Sequence, residues 1–269
     1  IHVPLYLVLV FDHTENALKL FVKRSDNGKI SMPPDDEPVK VILRPDIESR
    51  NHHEVTKAFQ GPENNWPDCV KETPHGFHFR EQGITLSVQC EASEFIREDE
   101  WYYMVSHPLE KERGMDDKGD LFSPGYFKIL LKGGEQVRLD ASVDSHKPKA
   151  FKKKEIFLPN ISNTLNVNKI RETLRESIKQ FIVKRDGNFS VIAGYPWFLD
   201  WGRDTMICLG GIISAGFREQ ARSIIKEFPS YEQNRTLPNV ITRKHTSHSD
   251  TSDAPLWLFV AVNDLSSAQ

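Results

Sequence analysis

"SHKPKAFKKKE", residues 145–155, is charged, broken by a proline and poor in apolar residues. It reads as a linker, and the texture of the chain differs on its two sides. Upstream the pattern has period two. "LYLVLVFDH" (5–13) and "ALKLFVKRS" (17–25) flank the polar "TEN", and "VKVILRP" (39–45) follows. "FHFREQGITLSVQCEAS" (77–93) and "YFKILLKGGEQVRLDASV" (126–143) come later, and the Gly133–Gly134 pair predicts a hairpin turn. Short strands joined by tight turns predict an antiparallel sandwich.

Downstream the period becomes helical. Ile170, Leu174, Ile178, Phe181 and Ile182 recur at helix spacing, as do Phe217, Ala221, Ile224, Ile225 and Phe228. Gly216 falls where a short turn separates two helices, and Pro229 ends the second of them. The expected organisation is therefore an N-terminal β-sandwich over 1–145, a linker over 146–163 and a helical domain over 164–269.

The five lysines of the linker raise the question of nucleic acid. No aromatic platform accompanies them, and Lys plus Arg (35) is slightly outnumbered by Asp plus Glu (38), for a net charge of −3. That balance gives no electrostatic footprint for nucleic acid or an anionic membrane, so the expected partner is neutral. The apolar start lacks a charged leader and runs into Asp12 and His13, which reads as a strand rather than a signal peptide. It is also too short to span a bilayer. Cys69, Cys90 and Cys208 stand far apart without a CxxC spacing, which predicts neither a disulfide framework nor a structural zinc site and fits a reducing, cytoplasmic setting. A first residue other than Met, and an apolar helical run that begins shortly before Gln269, lead us to expect a piece of a longer protein.

Two stretches of the second half concentrate chemistry. "GYPWFLDWGRDT" (194–205) crowds rings against charges. A buried core excludes unpaired charges, and a solvated loop has little use for rings. Aromatic faces that cover the C–H side of a pyranose, beside carboxylates and Arg that bond its hydroxyls, make a sugar site. Trp197, Phe198 and Trp201 supply the rings; Asp200, Arg203 and Asp204 supply the polar set. The bland alternative is a ring cluster where the helix begins, with Arg203 paired to a carboxylate. In "HTSHSDTSDAPLWLFVAV" (245–262), Pro255 suits a first helical turn and Asp253 stands just before it. Asp253 is then either an N-cap or a catalytic carboxylate at a helix N-terminus. His245, His248 and Asp250 lack a zinc-protease or nucleophile-elbow pattern and read as polar loop residues, and Asn51 to Glu54 reads as surface.

In linear order these stretches resemble the glycogen debranching enzymes of bacterial and archaeal type. "AGYPWF.DWGRDT" is matched from Ala193 to Thr205 and "PN" by Pro238 and Asn239, while "DAPLWF" is close to "DAPLWLF" at Asp253 to Phe259. "WYYMVSHPLEKERGMDDKGDLFSPGYF" (101–127) is similar to the pattern of that family's N-terminal β-domain. The resemblance implies a β-sandwich followed by the first helices of an (α/α)6 toroid, and inverting exo-hydrolysis of α-1,6-linked glucose stubs on glycogen or limit dextrin. It implies Asp253 as general acid, Arg203 and Asp204 gripping the terminal glucose, and Trp197 and Trp201 walling the subsite. Asp200 is grouped with the substrate contacts. It implies no metal and no organic cofactor, because two carboxylates and water suffice. The second carboxylate is expected beyond Gln269; Asp200, Asp204, Asp250 and Asp264 are the local substitutes. A Tyr-Asn pair usual before the acid is replaced by His248, Ser249 and Asp250. Rival readings are a glucoamylase-like or trehalase-like exo-glycosidase and a non-catalytic carbohydrate-binding piece.

Overall fold

The computed structural model describes residues 3–12, 16–26, 33–51, 54–143, 167–185, 187–195, 197–232, 236–241, 246–247 and 253–268. The expected linker, 146–163, lies outside them. The chain divides into two compact units, Ile1–Pro159 and Asn160–Gln269.

The first unit is built from two antiparallel sheets. Strands β1 (Leu5–Asp12), β2 (Ala17–Arg24), β4 (Val70–Thr73), β5 (Gly76–Glu81), β6 (Ile84–Cys90) and β9 (Gln136–Val143) form a six-stranded sheet in the order β1-β2-β9-β6-β5-β4. Strands β3 (Val39–Leu43), β7 (Glu94–Ser106) and β8 (Lys118–Leu131) form a three-stranded sheet, β3-β8-β7. One core joins them: Val22, Phe77, Val88 and Leu139 of the larger sheet pack with Val41, Phe122, Phe127 and Ile129 of the smaller. Alternation of apolar and polar residues lets each sheet give one face to this core. Trp66, in the connection after the short helix α1 (Pro62–Asn65), is 2% exposed and stacks on Trp101 at 5.5 Å between ring centroids.

The expected hairpin at Gly133–Gly134 is corrected by this topology. Its flanking strands, β8 and β9, belong to different sheets, so the turn carries the chain from one layer to the other. Arg24 fixes the crossover. Only 2% exposed, its guanidinium donates to the carbonyls of Leu131 (3.1 Å), Pro33 (2.9 Å) and Pro34 (3.0 Å), while its own carbonyl accepts the Gly134 N–H (3.1 Å). A buried guanidinium surrounded by carbonyl acceptors is tolerated because its donors are satisfied.

Gly125 sits in β8 opposite Arg97, at φ +146°, where a Cβ would stand 2.2 Å from the Ile96 carbonyl oxygen. Backbone cannot yield there as a flexible side chain could. Gly125→Ala is expected to destabilise this unit by about 1–3 kcal/mol or more, read as a lower melting temperature of its β signal in circular dichroism.

The second unit mixes helices with short hairpins. The short helix α2 (Pro108–Glu112) joins β7 to β8 in the first unit; in the second, helix α3 (Val167–Phe181) is followed by β10 (Ile182–Arg185) and β11 (Asn188–Val191), then by α4 (Gly202–Ser214), α5 (Arg218–Glu227) and α6 (Ala254–Ser267). Between α5 and α6, β12 (Val240–Ile241) pairs with β13 (Thr246–Ser247). The helical period read through Ile182 therefore breaks one residue earlier, where β-branched Ile182 and Val183 begin a strand paired with β11. The core gathers Met206, Leu209, Ile212 and Ile213 of α4 with Phe217, Ala221, Ile224, Phe228 and Ala261. The predicted turn at Gly216, φ +90°, separates α4 from α5. Among the described residues no helix is long and apolar enough to cross a membrane.

Candidate active site

The ring-and-charge stretch forms the approach to α4. The chain leaves β11, folds back through a tight loop and begins the helix: the Phe198 N–H donates to the Gly194 carbonyl (2.8 Å) and the Ala193 N–H to the Leu199 carbonyl (3.0 Å). The loop lifts its rings outward. Tyr195 and Phe198 are 55% and 45% exposed, Trp197 and Trp201 are half-buried, and Trp201 meets Phe198 edge to face at 6.1 Å. Tyr195 packs on Phe181 of α3, their centroids 5.8 Å apart. The rings lie at the surface of this unit rather than in its core.

Asp200 lies in the opposite direction. The sequence groups it with the substrate contacts, but the structure places it at 0% exposure, so it is corrected to an interior residue. One carboxylate oxygen stands 2.7 Å from the Arg185 guanidinium on β10, and the other accepts the Ser190 hydroxyl of β11 at 2.7 Å. A carboxylate withdrawn from water needs such partners. Asp200 thus ties the loop to the hairpin beneath it. No local spacing announces this, because Arg185 and Ser190 come from the preceding hairpin.

Gly202 begins α4 against the "PN" pair. Its N–H donates to the Asn239 carbonyl at 2.8 Å, and a Cβ at this position would come within 2.2 Å of the Pro238 carbonyl oxygen. The two motif segments thus meet backbone to backbone. Gly202→Ala is expected to push the two segments apart and cost about 1–3 kcal/mol or more, measurable as a lower urea midpoint of the helical signal.

At the start of α4, Arg203 reaches across to α6. Its Nε lies 3.1 Å from the Asp253 Oδ2, with both side chains partly exposed at 50% and 36%. Asp253 occupies the N-cap position of α6, yet its side chain makes no capping hydrogen bond; only its carbonyl joins the helix, accepting the Trp257 N–H at 3.1 Å. An aspartate there ordinarily satisfies orphan N–H groups. Here the carboxylate is turned instead to a guanidinium fifty positions earlier in the sequence.

Asp204 is one residue further, about 100° around the helix. It lines a groove of about 590 Å³ with Ile207, Cys208 and Gly211 of its own helix and Ile178 and Phe181 of α3. Burial pushes the Cys208 thiol up to about 11, so it stays protonated near neutrality. The described residues therefore bring Arg203 and Asp253 together, while Asp204 faces the neighbouring groove. Asp264 packs against Gly210 of α4, about 16 Å along α6 from Asp253 at 1.5 Å per residue. His245, His248 and Asp250 lie outside the described residues, and so do His52 and His53. Among the described residues no three His, Cys, Asp or Glu side chains are grouped to hold a metal ion. The groove, with its apolar walls from α3 and α4, and the contact of Gly202 with Pro238 were not read from the sequence.

Comparison with known families bears on both units. Residues 6–138 match the family model described as glycogen debranching enzyme N terminal, and residues 176–268 match that described as amylo-alpha-1,6-glucosidase. A β-unit of the first kind ahead of a helical unit of the second defines a glycosidase of glycogen. The chain belongs to the glycogen debranching enzyme family. No curated protein matches the chain.

Proposed function

We propose that the protein removes single α-1,6-linked glucose stubs from glycogen or a limit dextrin by exo-hydrolysis with inversion, and that Asp253 is the general acid. The observation that carries this reading is the Asp253 carboxylate, which stands at a helix N-cap without capping and meets Arg203 at 3.1 Å on a partly exposed surface. In this mechanism the acid protonates the glycosidic oxygen as the bond to glucose breaks, while a second carboxylate, about 6.5–9.5 Å away, takes a proton from the attacking water.

Arg203 has a double part in it. With no sugar bound it pairs with Asp253, and so exposed a pair is worth only about 0–1 kcal/mol. Glucose hydroxyls that recruit the guanidinium displace that pair cheaply and free Asp253 to carry the proton. Asp204, which lines the neighbouring groove, accepts from hydroxyls of the part of the substrate that extends over it, and the half-buried rings of Trp197 and Trp201 cover an apolar face of the sugar. Asp200 does not take part, since its oxygens are engaged below the loop. Asp264 is too far along α6 to act as base. We place the helical unit in an (α/α)6 toroid on the strength of the family, and the protein in the cytoplasm with its substrate. Supporting this, the helices α4 and α6 pack side by side and present adjacent N-termini through Arg203 and Asp253.

The test is release of glucose from a limit dextrin bearing single-glucose α-1,6 stubs, against a linear α-1,4 oligomer, followed by polarimetry of the first product. Release of β-glucose from the stubbed substrate is expected. Release of α-glucose, or equal turnover of the linear oligomer, would sink the reading.

A further inference from the structure

We propose that the N-terminal β-unit carries a second carbohydrate site, a polar cavity between α1 and the β5–β6 turn that takes a neutral polyhydroxyl ligand. The cavity measures about 440 Å³ and is lined by Arg50, Lys57, Gln60, Asn65, Glu81 and Gln82 among others. That volume falls in the range of small-molecule sites, about 300–1,000 Å³.

Three observations select the ligand. First, Glu81 is half satisfied: one carboxylate oxygen accepts the Trp66 indole N–H at 3.1 Å, and the other is buried without a hydrogen-bond partner among the described residues. A buried acceptor left open is costly, and a ligand hydroxyl is a donor that closes it. Second, the cations on the rim are already compensated. Arg50 pairs with Glu48 at 3.0 Å, and Lys57 pairs with Asp116 at 2.9 Å. The lining left for a ligand is therefore the amides of Gln60, Asn65 and Gln82, the Ser49 and Thr56 hydroxyls and the carboxylates of Glu54 and Glu81, a set of acceptors and amides suited to uncharged hydroxyls rather than to an anion. Among the described residues no three His, Cys, Asp or Glu side chains are grouped here to hold a metal ion. Third, Gln82 is held at φ 49°, in the left-handed region, at the first central position of a two-residue hairpin turn. That position favours Gly, Asn or Asp, and strain of this kind gathers at ligand clamps.

Identification of the ligand as a glucosyl unit of the glucan rests on the proposed function; the polyhydroxyl chemistry does not. The site holds a polymer chain while the helical unit works on its end, and raises the local concentration of branch ends as linked binding sites do.

The experiment titrates maltotetraose into the intact protein carrying Arg203→Ala, with intrinsic tryptophan fluorescence and calorimetry as readouts. Saturable binding is expected, weakened at least tenfold by Glu81→Gln, which keeps an acceptor for Trp66 but fills the open position with a donor. Gln82→Gly is expected to weaken binding similarly while melting at an equal or higher temperature, since it relieves the backbone. A purely structural role moves those two readouts together. Glucose release from a short stubbed oligosaccharide, measured with Arg203 intact, should not change in either variant. Failure of that release in every form, with binding still lost in Glu81→Gln, removes the proposed hydrolysis and leaves this site standing. Absence of saturable binding, or equal affinity in all variants, overturns the inference.

Discussion

With Asp253 as the proposed general acid, Asp253→Asn is expected to lower kcat for glucose release from α-1,6 stubs by about 10²–10⁴-fold, the range expected when a positioned proton donor is removed. The fold should survive. Asp253 makes no capping hydrogen bond to lose, and its ion pair with Arg203 is partly exposed, worth about 0–1 kcal/mol. Circular dichroism and the melting temperature therefore stay close to those of the native protein while turnover collapses. A substrate separates this from a general loss of binding: α-glucosyl fluoride leaves without needing a proton, so the variant should hydrolyse it with a far smaller deficit. Full activity on the stubbed substrate would remove Asp253 from the acid role. Arg203→Ala should act differently, raising KM more than it lowers kcat, because its proposed part is to grip the sugar rather than the leaving oxygen.

Asp200→Ala is expected to have the largest effect on stability. The substitution leaves the Arg185 guanidinium facing a cavity with its buried counter-charge gone and strands the Ser190 hydroxyl, which is 4% exposed. Breaking a buried pair by removing one partner costs about 3–5 kcal/mol. Asp200→Asn should cost less, because the amide oxygen can still accept one of the two contacts. Urea unfolding followed by the helical signal reads both. A loss below 1 kcal/mol for Asp200→Ala would mean that the loop before α4 is held by other contacts. Activity should fall in the same order, since the loop that Asp200 anchors carries Trp197 and Trp201 on its outer side.

These two aspartates show how far the sequence could be read. Both stand in motifs that mix rings and charges, and both invite a place in a sugar site. Which way a carboxylate faces, though, depends on the segment that packs beside it. Asp200 meets the β10–β11 hairpin and is drawn inside; Asp253 meets the first turn of α4 and stays at the surface. Neither partner lies within a helical turn or a strand pair of its aspartate, so no periodicity encodes the contact.

The change of period around residues 145–155 determined that strands precede helices, because backbone geometry fixes a repeat of two or of 3.6 residues wherever one face must be buried. The density of aromatic and ionic groups at 194–205 marked the chemically loaded segment for the same local reason. Only the tertiary structure decided that Gly133–Gly134 passes between sheets, that Gly202 has to admit the Pro238 carbonyl, and that Arg203 and Asp253 meet. Those outcomes depend on which distant segments share a surface, and packing settles that only once the whole unit has closed.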